Sequence, residues 1–244
     1  MPAVPRFAST VILYRLKEGT DDSNKCDFEI FLIQRSRELK FLGGFHAFPG
    51  GKLEDEDILE KTIARCEGLD KNQAHQIILD KQTSHTDKNF SIGFWITGIR
   101  EVFEETGILF AYDRDFELIR LNDPTHKEKF EVYRNKLLKN EILFSDLIET
   151  EDLFYALDKL HYFRHFITPD LSPIRYDTRF FLAEIPPHQT LGSTSSEIIS
   201  SEWIDPTSAI KRYRKNIIKL IPPQYACISK LRKVADIRDF CTHL

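Results

Sequence analysis

Between Ile92 and Glu105, apolar residues recur at 92, 95, 96, 99, 102 and 103. This is the repeat of a single helical face. Gly107 follows where a left-handed residue would close the helix. The same stretch carries Glu101, Glu104 and Glu105. Those positions are i, i+3 and i+4, so three carboxylates share one side of the helix. Two such charges about 4 Å apart, at an effective dielectric near 20, repel by about 4 kcal/mol. Convergence in a cleft is therefore tolerable only with cations. An all-oxygen set selects hard ions, Mg²⁺ or Mn²⁺ ahead of zinc. A solvated acidic face is the plain alternative, and spacing alone leaves it open.

Around this helix the chain reads as mixed α and β. Residues 8–16 and 28–34 are β-branched and apolar and predict strands, with a polar loop from Lys17 to Asp27. A short extended piece, 45–48, ends at Pro49-Gly50-Gly51. Residues 59–66 and 74–79 each suit a short helix, 108–112 a strand, and 126–160 a helical segment. Strands are expected at 162–168, 178–185 and 198–203, then a helix over 206–213 and a closing helix after the break at Pro222-Pro223. No repeat or linker interrupts the 244 residues. The expectation is one α+β domain over 1–244, with helical insertions.

Composition narrows the function. Lys plus Arg is 34 against 38 Asp plus Glu, a formal net charge of −4. There is no global attraction for nucleic acid. A polyanionic substrate would need local Arg and Lys or bound cations. No apolar run reaches the roughly 18 residues of a membrane helix. The four cysteines show no Cys-x-x-Cys spacing, against a disulfide framework or a cysteine zinc site. The C-terminal Thr242-His243-Leu244 only faintly echoes the peroxisomal Ser-Lys-Leu address. Cytoplasm is the expectation, with the peroxisome in play only for a eukaryotic chain.

The segment Arg100-Glu101-Val102-Phe103-Glu104-Glu105-Thr106-Gly107-Ile108 resembles the second half of the Nudix hydrolase signature, and Gly51 its first glycine. The first acid of that signature falls on Asp57, with Glu54 and Glu56 as alternatives. Between Asp57 and Arg100 lie 42 residues where the ordinary signature has seven, so an insertion at about 58–91 splits the motif. A split signature is similar to the branch containing peroxisomal coenzyme A diphosphatases. Upstream, Leu32, Arg35, Ser36, Gly44, Phe48, Pro49, Gly50 and Gly51 match a coenzyme A-associated motif in register. Phe31, Ile33 and Lys40 depart from it, and Lys40 loses the bidentate fork of an arginine.

The resemblance implies a Nudix-type α/β/α sandwich with a mixed central sheet. It implies hydrolysis of a pyrophosphate linkage in a nucleotide derivative. Coenzyme A or acyl-CoA is the first expectation, and ADP-ribose, NADH or another conjugate the second. A catalytically dead nucleotide-binding module is the third. Glu101, Glu104, Glu105 and the Gly51 carbonyl would hold Mg²⁺ or Mn²⁺. Arg100 would orient the acids by ion pairing. Gly50 and Gly51 would let backbone approach the helix, and Arg35, Ser36 and Lys40 would meet substrate. Glu101, Glu197 and Glu202 stand as alternatives for the general base. The partner is a small nucleotide, without nucleic acid or membrane, and a homodimer stays open. The insertion is expected to shape the pocket or a dimer contact. His161 and His165 have i, i+4 spacing in a strand-like context and read as structural rather than zinc ligands.

Overall fold

The computed structural model describes residues 3–17, 28–39, 42–81, 86–192 and 198–244. The loop expected between the first two strands, Lys40 and Glu197 lie outside the described residues. The strands are β1 (Arg6–Leu16), β2 (Phe28–Arg35), β3 (His46–Ala47), β4 (Gly50–Lys52), β5 (Cys66–Glu67), β6 (Ala111–Tyr112), β7 (Phe154–Ala156), β8 (His161–Ile167), β9 (Tyr176–Glu184) and β10 (Ile198–Ile204). The helices are α1 (Glu60–Ile63), α2 (Lys71–Lys81), α3 (Lys88–Thr106), α4 (Pro124–Leu138), α5 (Phe144–Thr150), α6 (Pro206–Arg214), α7 (Pro222–Leu231) and α8 (Ile237–Thr242). Helical turns of the 3-10 type occupy Asp55–Ile58 and Leu157–Lys159. The fold class is α+β, and among the described residues no helix is long and apolar enough to cross a membrane.

Two compact units emerge, and β1 and β9 contribute residues to each. The first comprises Met1–Val11, Gly50–Phe181 and Pro186–Ser193. Here β4 lies antiparallel to the start of β1, with Ser9 opposite Gly51 and Thr10 opposite Gly50. Helix α3 is its organising element. Asp87 caps it by accepting a hydrogen bond from Phe90 N at 2.9 Å, and Gly107 closes it at φ 76°. Ile92, Phe94, Trp95, Ile96, Ile99, Val102 and Phe103 are all buried. Trp95 packs on Phe181 with centroids 4.8 Å apart, and its indole N–H donates to Leu160 O at 2.9 Å. Phe103 meets Phe144, which meets Tyr155, at 5.7 and 5.8 Å. Each fully buried side chain of this size contributes roughly 1.5–3 kcal/mol.

The insertion is folded along the same helix. In it, α2 packs on α3, with Lys88 Nζ donating to Asn72 Oδ1 at 2.6 Å and His75 Nδ1 2.9 Å from Ser91 Oγ. Strand β5 pairs in parallel with β7, and β6 pairs antiparallel on the other edge. This small sheet corrects two expectations. Residues 154–159 are strand and tight turn rather than the end of a helical 126–160, because Phe154 to Ala156 find backbone partners on two sides. Residues 59–66 form only a four-residue helix before Cys66 joins β5. Of the strand expected at 108–112, only Ala111–Tyr112 pairs.

The second unit comprises Ile12–Pro49, Leu182–Ile185 and Thr194–Leu244. Its strand order is β10, β2, β1, with β3 paired off β2. Phe31 packs on Trp203 at 5.2 Å, and the Arg15 guanidinium lies 4.7 Å over the same indole. Ile185 N donates to Tyr14 O, as Arg6 N donates to Arg175 O in the first unit. The two bonds advance together along β1 and β9, so this pair is parallel and the sheet mixed. The single closing helix expected after Pro222-Pro223 is two, α7 and α8, and the prolines open α7 at its first positions.

Gly107 is a clean test of the helix end. A Cβ there would meet nothing nearer than 3.4 Å, but φ is +76°. Gly107→Ala should therefore cost about 1–2 kcal/mol of backbone strain, read as a lower denaturation midpoint with an unchanged slope.

Candidate active site

The last two turns of α3, the β4 glycines and the Asp55–Ile58 turn meet within the first unit. At the centre is Arg100, 4% exposed. Its Nε and Nη2 donate to the two oxygens of Asp57, each at 3.0 Å, a fork-on-fork pair. Nη2 also donates to Lys52 O at 2.7 Å. Nη1 donates to Glu101 Oε1 at 2.8 Å and Glu104 Oε1 at 3.3 Å. Asp57, 1% exposed, accepts further bonds from Thr97 Oγ1 at 2.8 Å and Glu54 N at 3.0 Å. Of the three acids open for the first motif position, Asp57 is the one turned to Arg100. Glu54 pairs with Lys52 on the surface, and Glu56 accepts from Ser145 N at 3.0 Å.

The glycines do what close approach requires. A Cβ on Gly51 would fall 2.4 Å from Glu101 Oε1. One on Gly50 would fall 2.3 Å from Ser9 O across the sheet. Gly50 N donates to Glu105 Oε2 at 3.2 Å. Backbone at 50–51 thus touches both the first and the last glutamate of the helix.

The electrostatics are unbalanced. One guanidinium faces the carboxylates of Asp57, Glu101 and Glu104, an excess of two negative charges when all are ionised. Burial raises the Glu101 pKa from 4.5 to about 7, and the neighbouring Glu104 adds to this against the pull of Arg100. Burial likewise raises Glu104. Arg100 also loses hydration on burial, yet Asp57 and Glu101 hold its proton more tightly than water would. Among the described residues, no three acid, imidazole or thiol side chains already converge as a ready metal cage. Glu101 and Glu104 turn to Arg100, and Glu105 to Gly50 N. The surplus charge and the all-oxygen donors nevertheless fit a hard divalent cation.

The other expected residues stand elsewhere. Arg35 and Ser36 belong to the second unit, where Arg35 N donates to Phe45 O at 3.0 Å and Ser36 Oγ accepts from Glu38 N at 3.4 Å. Glu202, in the same unit, pairs with Arg212 at 2.5 Å, a poor state for a free base. His165 lies 2.5 Å from Asp177, in keeping with a structural role. Thr97 is the residue that sequence reasoning passed over. It stands three before Arg100 on one helical face, which is the signal that marks it.

The model of the family described as NUDT19 Nudix domain matches residues 5–231. The chain belongs to this family of Nudix domains. It is 25% identical over 240 residues to "Acyl-coenzyme A diphosphatase NUDT19" of Xenopus laevis, covering 89% of this chain and 63% of that protein. It is 26% identical over 243 residues to the Gallus gallus protein of the same name, covering 88% and 64%. The chain thus spans less than two thirds of the length of these relatives. A crystal structure of a NUDIX hydrolase from Alicyclobacillus acidocaldarius superposes with a TM-score of 0.75, covering 98% of this chain and 96% of that one at 23% identity. That likeness shows the Nudix fold. Nudix hydrolases generally use divalent metal ions.

Two measurements test this geometry. Asp57→Ala strands a buried guanidinium and should cost about 3–5 kcal/mol. Thr97→Val removes one bond and should cost about 1 kcal/mol. The second concerns pH. A carboxyl whose folded pKa is raised supplies stability that is full below its unfolded pKa and lost as pH rises through the folded one. For Glu101 this window runs from 4.5 to about 7. In chelator, Glu101→Gln should gain on the wild type by roughly 2–3 kcal/mol between pH 4 and pH 8. Wild-type melting with added Mg²⁺ should recover part of that gap at pH 8 only.

Proposed function

We propose that this Nudix family member hydrolyses the pyrophosphate linkage of coenzyme A or an acyl-CoA. The products are 3′,5′-ADP and 4′-phosphopantetheine or its acyl form. The observation that carries the chemistry is the joining of Gly50-Gly51 to Glu101, Glu104 and Glu105 around the Asp57–Arg100 pair. The substrate rests on two supports. One is the register of Leu32, Arg35, Ser36, Gly44 and Phe48 to Gly51. The other is the acyl-coenzyme A diphosphatase name borne by the relatives.

Water attacks one phosphorus, the anhydride P–O bond breaks, and its electron pair leaves on the other phosphate. Two monoesters form and a proton is released. Glu101, Glu104, Glu105 and the Gly51 carbonyl are the groups to hold Mg²⁺ or Mn²⁺. When bound, the cation neutralises substrate charge and lowers the pKa of a water. Arg100, fully engaged by acids and Lys52 O, positions the carboxylates and does not reach for substrate. Gly50 and Gly51 keep the backbone close enough for the carboxylates to act with it. Glu101, beside Gly51 and paired with Arg100, is one candidate for the base. Arg35, Ser36 and Lys40 are assigned to substrate, and Glu197 remains the alternative base.

The test is a panel of coenzyme A, acyl-CoAs, ADP-ribose and NADH with Mg²⁺ and with Mn²⁺, read by product mass. Coenzyme A and its thioesters should yield 3′,5′-ADP. Cleavage of ADP-ribose or NADH with coenzyme A intact would move the assignment to another nucleotide conjugate. Glu104→Gln and Glu105→Gln should each lower kcat by on the order of 100-fold or more while the fold persists. Nucleotide binding without turnover in the wild type would make the chain a binding module.

A further inference from the structure

Charge is unevenly spread along the chain. From Pro206 to Ala235 there are eight Lys or Arg and no Asp or Glu. The rest of the chain holds 26 Lys plus Arg against 38 Asp plus Glu. The basic segment is α6, α7 and the turn between them, all in the second unit. Burial of Pro206, Ala209 and Ile210 turns Lys211, Arg214 and Lys215 outward on one face of α6. Tyr213 packs on Tyr225 of α7 at 5.0 Å. The Ser229 hydroxyl and the Arg214 and Arg232 guanidiniums hold the Tyr225 phenol below its usual proton affinity. The cationic array thus continues across Tyr225 to Arg232 and the exposed Lys233. The flanking acids are engaged, since Glu202 pairs with Arg212 while Asp205 and Asp236 cap α6 and α8. The dipoles of α6 and α7 favour cations near their last turns. They do not account for the exposed Lys219, or for the lack of any acid from 206 to 235.

One apolar side chain stands in this basic segment without cover. Asn216 takes φ 56° after α6, with Asn216 N donating to Tyr213 O at 2.9 Å and Ile217 N to Arg212 O at 3.0 Å. In this paired closure the side chain after the left-handed residue commonly packs back on the last helical turns. Here those turns offer Arg212 and Lys211, and Ile217 is left 58% exposed. A backbone-fixed, exposed isoleucine between Lys215 and Lys219 suits a layer that is anionic at its surface and hydrocarbon beneath. A nucleic acid or an acidic peptide answers the charge alone. We propose that the α6–α7 face docks the protein peripherally on a bilayer of anionic lipid, with Ile217 entering between the headgroups. Peripheral docking needs no spanning helix, so the lack of one among the described residues does not count against it. The sequence expectation of no membrane partner took no account of this local excess of charge.

The experiment is flotation of the intact, substrate-free protein with vesicles of phosphatidylcholine, alone or with roughly 30% phosphatidylserine. Binding is expected only with the serine lipid, and should weaken as NaCl rises from about 0.05 M to about 0.5 M. It should be equal in Glu104→Gln, so the outcome does not depend on the catalytic assignment. Lys211→Ala and Lys215→Ala, at exposed positions where folding is not at stake, should each lower the partition about fivefold. Ile217→Ser should lower it about tenfold. Lys136→Ala, which removes an exposed cation of α4, should leave it unchanged. No binding above that to the neutral vesicles would overturn the proposal, as would an equal loss in Lys136→Ala. So would full binding by Ile217→Ser together with displacement by a single-stranded oligonucleotide, the behaviour of a general polyanion face.

Discussion

The ion pair between Asp57 and Arg100 is the constraint on which the rest of the site depends. Each partner is almost wholly shielded from water, so neither is tolerable without the other. Their geometry is supported from several directions. Thr97 and Glu54 N hold the carboxylate, while Lys52 O and two helix glutamates take the remaining guanidinium donors. The pair thereby ties three pieces of chain: the glycine strand β4, the tight turn behind it, and the end of α3. It also leaves the acids in surplus. That surplus raises the proton affinity of Glu101 and suits the site to a divalent ion.

Helix α3 is unusual in being buried on most of its circumference. Glycines at 93 and 98 bring neighbours close, since a Cβ at Gly93 would lie 2.7 Å from Ile58 and one at Gly98 3.0 Å from Leu160. Packing on several sides leaves the acidic ridge little freedom to rotate, which a site that must hold charge in register needs. Arg134 contributes from α4, its Nε donating to Glu104 O at 2.9 Å near the helix end. The inserted α2 contributes at the opposite end through His75 and Asn72, which meet Ser91 and Lys88 of α3.

Much of this was legible in the residues. The apolar repeat and Gly107 located α3, and the strands at β1, β2, β8, β9 and β10 followed from β-branched runs. The glutamate spacing together with the glycine loop pointed to one site, because both features have a local pattern. What escaped notice was what depends on distant partners. Phe154 to Ala156 look helical in isolation and become a strand only through Cys66-Glu67 and Ala111-Tyr112. Register put Asp57 first but left Glu54 and Glu56 open, because four acids run consecutively from Glu54 to Asp57. Only the turn at Asp55–Ile58 decides which of them faces inward. Thr97 shares a helical face with Arg100, but its partner Asp57 lies 40 residues away in sequence, so the phase alone did not reveal the bond.

The separation of Asp57 from Arg100 by 42 residues has a kinetic side. Signatures of the ordinary spacing can close as a local loop, early in folding. Here the closure must wait for a whole folded interlude to dock, and non-local contacts of this kind slow the search. Assembly of the carboxylate site thus hangs on a long-range contact, and a fragment ending short of Arg100 lacks the partner that Asp57 is buried against.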